Sequence, residues 1–312
     1  MKLARVFPSR TTYTPTDVDA YYGPPPMFSA QVYDQVHVSC VFTWDKPWAE
    51  NLAKQWRAVC PNVQVGGPAY NAPGGEFMPG LYLKPGFTMT SRGCPNSCAH
   101  CLVPKREGKL RQLEIKPGHI ILDNNLLACS KAHVSAVFSM LSEQGQPACF
   151  TGGLEAARVS DWVVEQLRGI KLGRLFMAYD RPNEERPLQR ALAKLCPHFH
   201  RRKLKVYVLV GFEGDTLQEA EARCVRVWEL GGLPFAMFYR DPEGKNQKTE
   251  AWGQFQAIWT RPPATYHRAA MLGLPDGAKT KRGQDQLEFL HVKNRGVPHR
   301  FMQAVNELDG VE

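Results

Sequence analysis

Thr88-Met89-Thr90-Ser91-Arg92-Gly93-Cys94-Pro95-Asn96-Ser97-Cys98-Ala99-His100-Cys101 decides how the rest of this chain is read. A short β-like run, Phe87 to Thr90, feeds a loop of Gly, Pro, Asn and Ser that carries three thiols at C-x3-C-x2-C spacing. Such a loop can bring three sulfurs to one metal centre and leave it one ligand short. Three thiolates can each hold one iron of a four-iron, four-sulfur cluster, and the fourth iron is then open to a substrate or cofactor. Two other readings stand beside this one. The thiols and His100 could hold a structural zinc, although zinc sites usually join two ligand pairs and no second pair exists in the chain. They could also be unrelated core thiols.

Outward from the loop the pattern repeats. Strand-like runs at Phe87–Thr90, His119–Leu122, Ala148–Thr151, Arg174–Tyr179, Leu204–Val210 and Pro234–Tyr239 alternate with helical spacing. The helical positions are Val134, Val137, Phe138 and Leu141, then Val159, Trp162, Val163 and Leu167, then Leu188, Ala191, Leu192 and Leu195. This alternation predicts an α/β fold, a parallel sheet curled into a partial (β/α)6 barrel whose strand C-terminal ends supply the site.

The three-cysteine loop in this place resembles the signature of the radical S-adenosylmethionine (radical SAM) superfamily, in which the residue before the third cysteine is most often aromatic; here it is His100. The resemblance covers about residues 85 to 240. It implies that Cys94, Cys98 and Cys101 bind a [4Fe-4S] cluster whose open iron chelates the amino and carboxylate groups of S-adenosylmethionine. One electron from an external reductant of flavodoxin or ferredoxin type would release a 5′-deoxyadenosyl radical that abstracts hydrogen from a substrate.

Asp123 and Asn124 after the second strand, and Glu155 and Arg158 after the third, are the candidates for the cofactor's methionine and ribose groups. Carboxylates accept from ammonium or hydroxyl, and Arg donates to carboxylate. Gly152-Gly153-Leu154-Glu155 differs from the family's Gly-Gly-Glu element and sits after a different strand. The pattern is more similar to the branch with cobalamin-type domains, where Asp-Asp-Asn ends the second strand and a Gly-Leu-Asp-x-x-Arg-like element follows the third. Gly211, in a turn resembling the family's adenine-side turn, is assigned to the adenine, and Tyr179, Asp180 and Arg181 to substrate or cofactor. Thr216 and Glu219 spell a capping box. Cys149 and Tyr239 are candidate hydrogen donors to a product radical, with core thiol and barrel-filling aromatic as the alternatives. Turn and cap chemistry is the plain alternative for the loop residues.

Upstream, residues 1 to 30 carry several prolines and no strand period, which predicts an arm or loop. Gln35–Phe42 reads as a strand, Lys46–Val59 as a helix with Trp48, Leu52, Trp56 and Val59 on one face, and Asn62–Pro68 as a strand ending at a glycine turn. This βαβ unit resembles the last piece of a cobalamin-binding domain. The Asp-x-His-x-x-Gly cobalamin motif is absent, so the segment is expected to be structural. The expected division is 1–84, 85–240 and 241–312, the last an irregular extension over the site or against nucleic acid.

The 312 residues, 43% hydrophobic, suffice for one large core or two smaller ones. No signal peptide and no long apolar run is visible, so a soluble, cytoplasmic protein without a membrane partner is expected. Nine cysteines, six of them scattered through apolar stretches, argue against a disulfide framework. The net charge of +9 favours polyanions. Basic residues gather at Lys105–Arg111, His198–Lys205, Lys279–Arg282 and Lys293–Arg300, and Trp252, Phe255, Trp259, Tyr266, His267 and Arg268 add aromatics among cations. The expected substrate is a nucleotide or base in DNA or RNA. In size and charge the chain is similar to the radical SAM isomerases of bacteriophage thymidine hypermodification, which move a glycyl attachment from nitrogen to carbon; a phage-encoded enzyme would work in the host cytoplasm. The alternatives are radical modification of a peptide or metabolite, a zinc-containing nucleic-acid-binding module without catalysis, and an iron-sulfur electron carrier.

Overall fold

The computed structural model describes residues 2–27, 31–71, 74–241 and 243–276. The chain forms two compact units, one of Met1–Leu175 with Asp241–Lys245, the other of Phe176–Arg240 with Asn246–Glu312. The class is α/β with parallel sheets.

The first unit opens with β1 (Leu3–Phe7), β2 (Ala20–Tyr22), β3 (Gln35–Ser39), α1 (Lys46–Trp56) and β4 (Val63–Gly66). Their strands make a parallel sheet in the order β2-β1-β3-β4. Strands thus lie where an arm or loop was expected. A central parallel strand is buried on both faces and shows no polar alternation; here its short apolar run is also broken by Arg5. That guanidinium is buried but satisfied, donating to the Gly80 and Leu81 carbonyls at 2.9 and 3.0 Å and pairing with Asp17.

Helix α1 begins where expected, ends at Trp56 so that Val59 lies beyond it, and buries the expected Leu52 and Trp56. Ala49, Leu52, Ala53 and Trp56 face the sheet, while Trp48 and Val59 stand 41% and 57% exposed. The two alanines let the helix approach the sheet closely, and a stripe drawn through the largest residues missed them. The glycine turn after β4 is real: Gly67 has φ +104°, and a Cβ there would meet the Cys40 carbonyl at 2.6 Å.

The same unit continues with β5 (Phe87–Thr88), β6 (Ser91–Arg92), α2 (Val103–Arg106), β7 (Arg111–Gln112), β8 (Ile120–Ile121), α3 (Lys131–Gln144), β9 (Ala148–Phe150) and α4 (Asp161–Arg168). Strands β5, β8 and β9 are parallel, and β9 pairs with the start of β10 (Leu172–Ala178). Helix α3 buries Val134, Val137, Phe138 and Leu141, and Val163 and Leu167 of α4 are likewise buried. A feature absent from the sequence reading is the antiparallel pair β6–β7, with Ser91 opposite Gln112 and Arg92 opposite Arg111. It clamps the base of the cysteine loop.

The second unit takes in the end of β10, then α5 (Glu185–Leu195), β11 (Leu204–Val210), α6 (Leu217–Glu229), β12 (Leu233–Phe238), α7 (Glu250–Thr260) and α8 (Pro262–Met271). β11 and β12 pair in parallel along their length, from Lys205 opposite Leu233 to Val210 opposite Phe238. Helix α5 buries Leu188, Ala191, Leu192 and Leu195, and α6 begins with the Thr216–Glu219 capping box.

The segment after Tyr239 is corrected: an irregular extension was expected, and two helices are found. Thr249 caps α7, and Phe255, Ile258 and Trp259 form its buried stripe. Base stacking and packing were both open for these aromatics, and the residues of this stripe are core. Arg268 of α8 is 1% exposed and bound to Glu221, and Tyr266 packs edge-on against Trp228 at 5.0 Å. Arg201, from an upstream basic stretch, is also buried, with its guanidinium 3.8 Å over the Trp228 ring. The clusters Lys279–Arg282 and Lys293–Arg300 lie outside the described residues. Among the described residues no helix is long and apolar enough to cross a membrane.

Candidate functional site

Three successive connections of the first unit, after β5, β8 and β9, are tied together by side chains. The first knot is Asp123, which is 1% exposed. Its Oδ1 accepts from the Thr90 amide at 2.7 Å, and its Oδ2 from the hydroxyls of Thr90 and Ser91 at 2.6 and 2.7 Å. His133 of α3 stands 3.2 Å from Thr90 Oγ1. Burial pushes the Asp123 carboxyl above its ordinary pKa, opposed by the hydrogen bonds from Ser91 and Thr90. Burial pushes the His133 imidazole down, opposed by the Asp123 charge.

Asn124 makes the second knot, its Oδ1 accepting from the Gly93 amide at 2.9 Å. Gly93 has φ +79°, and a Cβ there would collide with the Lys109 carbonyl. Asp123 and Asn124 therefore do their bonding inside the protein, fixing where the cysteine loop leaves the sheet.

The third knot reaches a thiol. Asn125 donates from Nδ2 to Cys94 Sγ at 3.4 Å and to Glu155 Oε2 at 2.7 Å. The same Glu155 oxygen accepts from Arg158 Nε at 2.6 Å. The Asn96 amide adds a second donor to Cys94 Sγ at 3.5 Å. Burial would raise the Glu155 pKa, but hydrogen bonds from Asn125, Arg158 and Asn96 outweigh it and hold the carboxyl below its usual range. Asn125 Oδ1 is buried with no partner among the described residues. An orphan buried acceptor costs about 1–3 kcal/mol, so this amide sits here at the expense of stability.

Thr90 and Ser91 were given no role from sequence, and Asn125 only as the last residue of the Asp123-Asn124-Asn125 turn expected near the cofactor. Thr90 and Ser91 stand inside the quoted stretch, but short polar residues in loops are read as turn formers. Asn125 follows two candidates directly, and only its distant partner Glu155 reveals its use.

Cys94 is partly buried, and Cys98 and Cys101 are exposed. Among the described residues no group of three or more Cys, His, Asp or Glu side chains is gathered closely enough to hold a metal ion. The donor chemistry nonetheless fits an iron-sulfur cluster. Three thiols stand on one exposed loop whose two ends are clamped, and one sulfur already receives N–H donors, as cluster sulfurs commonly do.

Glu155 and Arg158 form an adjacent pair of opposite charges, suited to the ammonium and carboxylate of an amino acid. Arg158 also borders a cleft of about 320 Å³ with Lys131, Ser160 and Trp162. In β9, Phe150 faces α3, its ring 5.7 Å from Phe138, so strand alternation turns Cys149 to the opposite face of the sheet.

The remaining candidates belong to the second unit. Gly211 has φ +72°, packs against the Phe238 ring, and gives its amide to Asp215 Oδ2 at 2.7 Å. Asn246 Nδ2 donates to the carbonyls of Gly211 and Tyr239 at 2.6 and 2.9 Å. Tyr179 is buried with its hydroxyl 3.3 Å from Glu185 Oε2, and Arg181 is exposed. Asp180 Oδ1 accepts from the Leu209 amide at 2.9 Å, and burial pushes its pKa up to about 6.

No protein-family model matches this chain, and a search of curated proteins finds no matching relative.

Proposed function

We propose that the chain is a radical SAM enzyme on a partial (β/α)6 barrel, with Cys94, Cys98 and Cys101 as ligands of a [4Fe-4S] cluster and Glu155 and Arg158 as the amino-acid-binding pair for S-adenosylmethionine. One observation carries the reading: the hydrogen-bond chain Cys94–Asn125–Glu155–Arg158, which joins the thiol loop to the ends of parallel strands β8 and β9. Protein architecture places ligand sites at the carboxyl ends of parallel strands. The bound cluster and cofactor, on receiving one electron, would supply a 5′-deoxyadenosyl radical for hydrogen abstraction.

The protein's own part is positional. Asp123 and Asn124 set the exit of the cysteine loop, and Gly93 lets it turn. Asn125 ties Cys94 to Glu155. The carboxylate of Glu155 accepts from an ammonium, and the guanidinium of Arg158 donates to a carboxylate.

The decisive experiment is anaerobic reconstitution with iron and sulfide, reduction, and chromatography for 5′-deoxyadenosine after adding S-adenosylmethionine. The product is expected with wild type and absent with Cys98→Ala. One zinc per chain without sulfide would overturn the reading in favour of a structural zinc module.

For the substrate, we infer a nucleotide or base in nucleic acid, on the strength of the +9 net charge. Isomerisation of a modified thymidine in DNA is one reaction of this kind. The buried Trp259, Phe255 and Arg268 lend it no support. A gel shift tests it: binding to DNA or RNA should weaken steeply with salt, and absent or salt-insensitive binding would favour a peptide or metabolite.

A further inference from the structure

We propose that Asn125 is a positioning residue that sets the reduction potential of the metal centre held by Cys94. The inference rests on the iron-sulfur reading above. A primary amide has two N–H donors, and both are placed: Nδ2 lies 3.4 Å from Cys94 Sγ and 2.7 Å from Glu155 Oε2. The orientation of the amide is determined by its surroundings. Turned over, Oδ1 would face the Glu155 carboxylate oxygen and the Cys94 sulfur, acceptor against acceptor.

Glu155 is itself held by Arg158 Nε at 2.6 Å, so the donor to Cys94 is braced from behind by an ion pair. Asn125 is 4% exposed, so water does not compete for these bonds. With the Asn96 amide at 3.5 Å, Cys94 Sγ has two N–H donors.

An N–H donor on a ligating sulfur draws off negative charge and favours the more negative, reduced form of a cluster. Hydrogen bonds to sulfur are among the levers by which proteins tune such centres, and partners one layer out also fix ligand orientation. A cluster held by Cys94 therefore has a higher potential with Asn125 present than without it. The orphan Oδ1 of the same amide fits this assignment, since the residue is kept for what its nitrogen does.

The test is the midpoint potential of the reconstituted cluster, followed by electron paramagnetic resonance during redox titration, in wild type, Asn125→Ala and Asn125→Asp. Both substitutions remove the donor. The expected result is unchanged iron and sulfide content with reduction at least about tenfold less favourable, a shift of ~59 mV to more negative potential for a one-electron couple. A purely structural amide would leave the potential where it was. An intact cluster with unchanged potential in both variants overturns this inference and leaves the radical reading in place. A wild-type protein that assembles no iron-sulfur cluster overturns the reading and the inference together. If neither variant retains a cluster, wild type containing asparagine labelled with heavy nitrogen only in the side-chain amide decides. Magnetic coupling between the reduced cluster and that nitrogen upholds the inference, and its absence overturns it.

Discussion

Arg268 of α8 forks onto Glu221 of α6, its Nε 2.8 Å from Oε1 and its Nη2 2.9 Å from Oε2. The two ends of this pair are unequally wet: the arginine side chain is 2% exposed and the glutamate 23%. Removing one partner of a buried pair costs about 3–5 kcal/mol because a charge is left without its counter-ion. Glu221→Ala should therefore lower stability by about 3 kcal/mol. Arg268→Met should cost clearly less, since Met refills the stem and Glu221 can reach water. Urea denaturation of the two variants checks the asymmetry, and equal losses would contradict it.

Asp180 gives the protein a pH-dependent stability. Its folded pKa, pushed up to about 6, lies above the ordinary carboxyl value near 3.9, so the folded state holds the proton more tightly. The contribution is complete below about pH 4 and is lost as pH rises to about 6. Over that window wild type should lose about 2–3 kcal/mol relative to Asp180→Asn, at about 1.4 kcal/mol per pKa unit. The substitution keeps an oxygen to accept from Leu209. Urea midpoints at pH 4.5, 5.5 and 7 measure the difference, and parallel curves would refute it.

Gly93→Ala should damage the cysteine loop at its root. The residue sits at φ +79°, where a side chain is strained by about 1–2 kcal/mol, and its Cβ would also strike the Lys109 carbonyl. The expected outcome is a loss of at least about 1 kcal/mol in thermal or urea unfolding, with less iron and sulfide taken up on reconstitution. Full stability and full uptake would show that the loop accepts another backbone path.

Thr216→Ala should cost about 1 kcal/mol, because Thr216 Oγ1 accepts from the Glu219 amide at 3.2 Å while Glu219 Oε2 accepts from the Thr216 amide at 3.2 Å. The double substitution with Glu219→Ala should cost less than the sum of the two singles, since both remove one reciprocal unit. Additive losses in urea unfolding would mean that the two bonds act separately.

What could be read from sequence was what local pattern dictates. Each of β8, β9, β11 and β12 lies within a residue or two of its expected run because short apolar stretches bounded by turns have few other uses. The stripe Leu188, Ala191, Leu192, Leu195 is buried as its spacing requires. The capping box was legible because both partners lie within one turn.

What escaped depends on partners far along the chain. β1 was hidden because Arg5 looks foreign to a central strand until Gly80, Leu81 and Asp17 are seen around it. The pair β6–β7 is polar and two residues long on each side. Trp259 and Arg268 look like a base-stacking surface in sequence, and only tertiary packing distinguishes it from a core. Asp123 was expected to bind S-adenosylmethionine, and the hydroxyl partners that make it an anchor inside the protein could not be seen from spacing.

The links that hold the cysteine loop join residues about thirty apart. Thr90 meets Asp123 across 33 positions, Gly93 meets Asn124 across 31, and Asn125 meets Glu155 across 30. Every residue of this lattice, from Thr90 to Arg158, precedes the helices of the second unit in the chain. During synthesis, then, all of its partners leave the ribosome before the helices that close the second unit have been made. The loop can be braced before α7 and α8 exist, and Cys94 meets Asn125 without waiting for them.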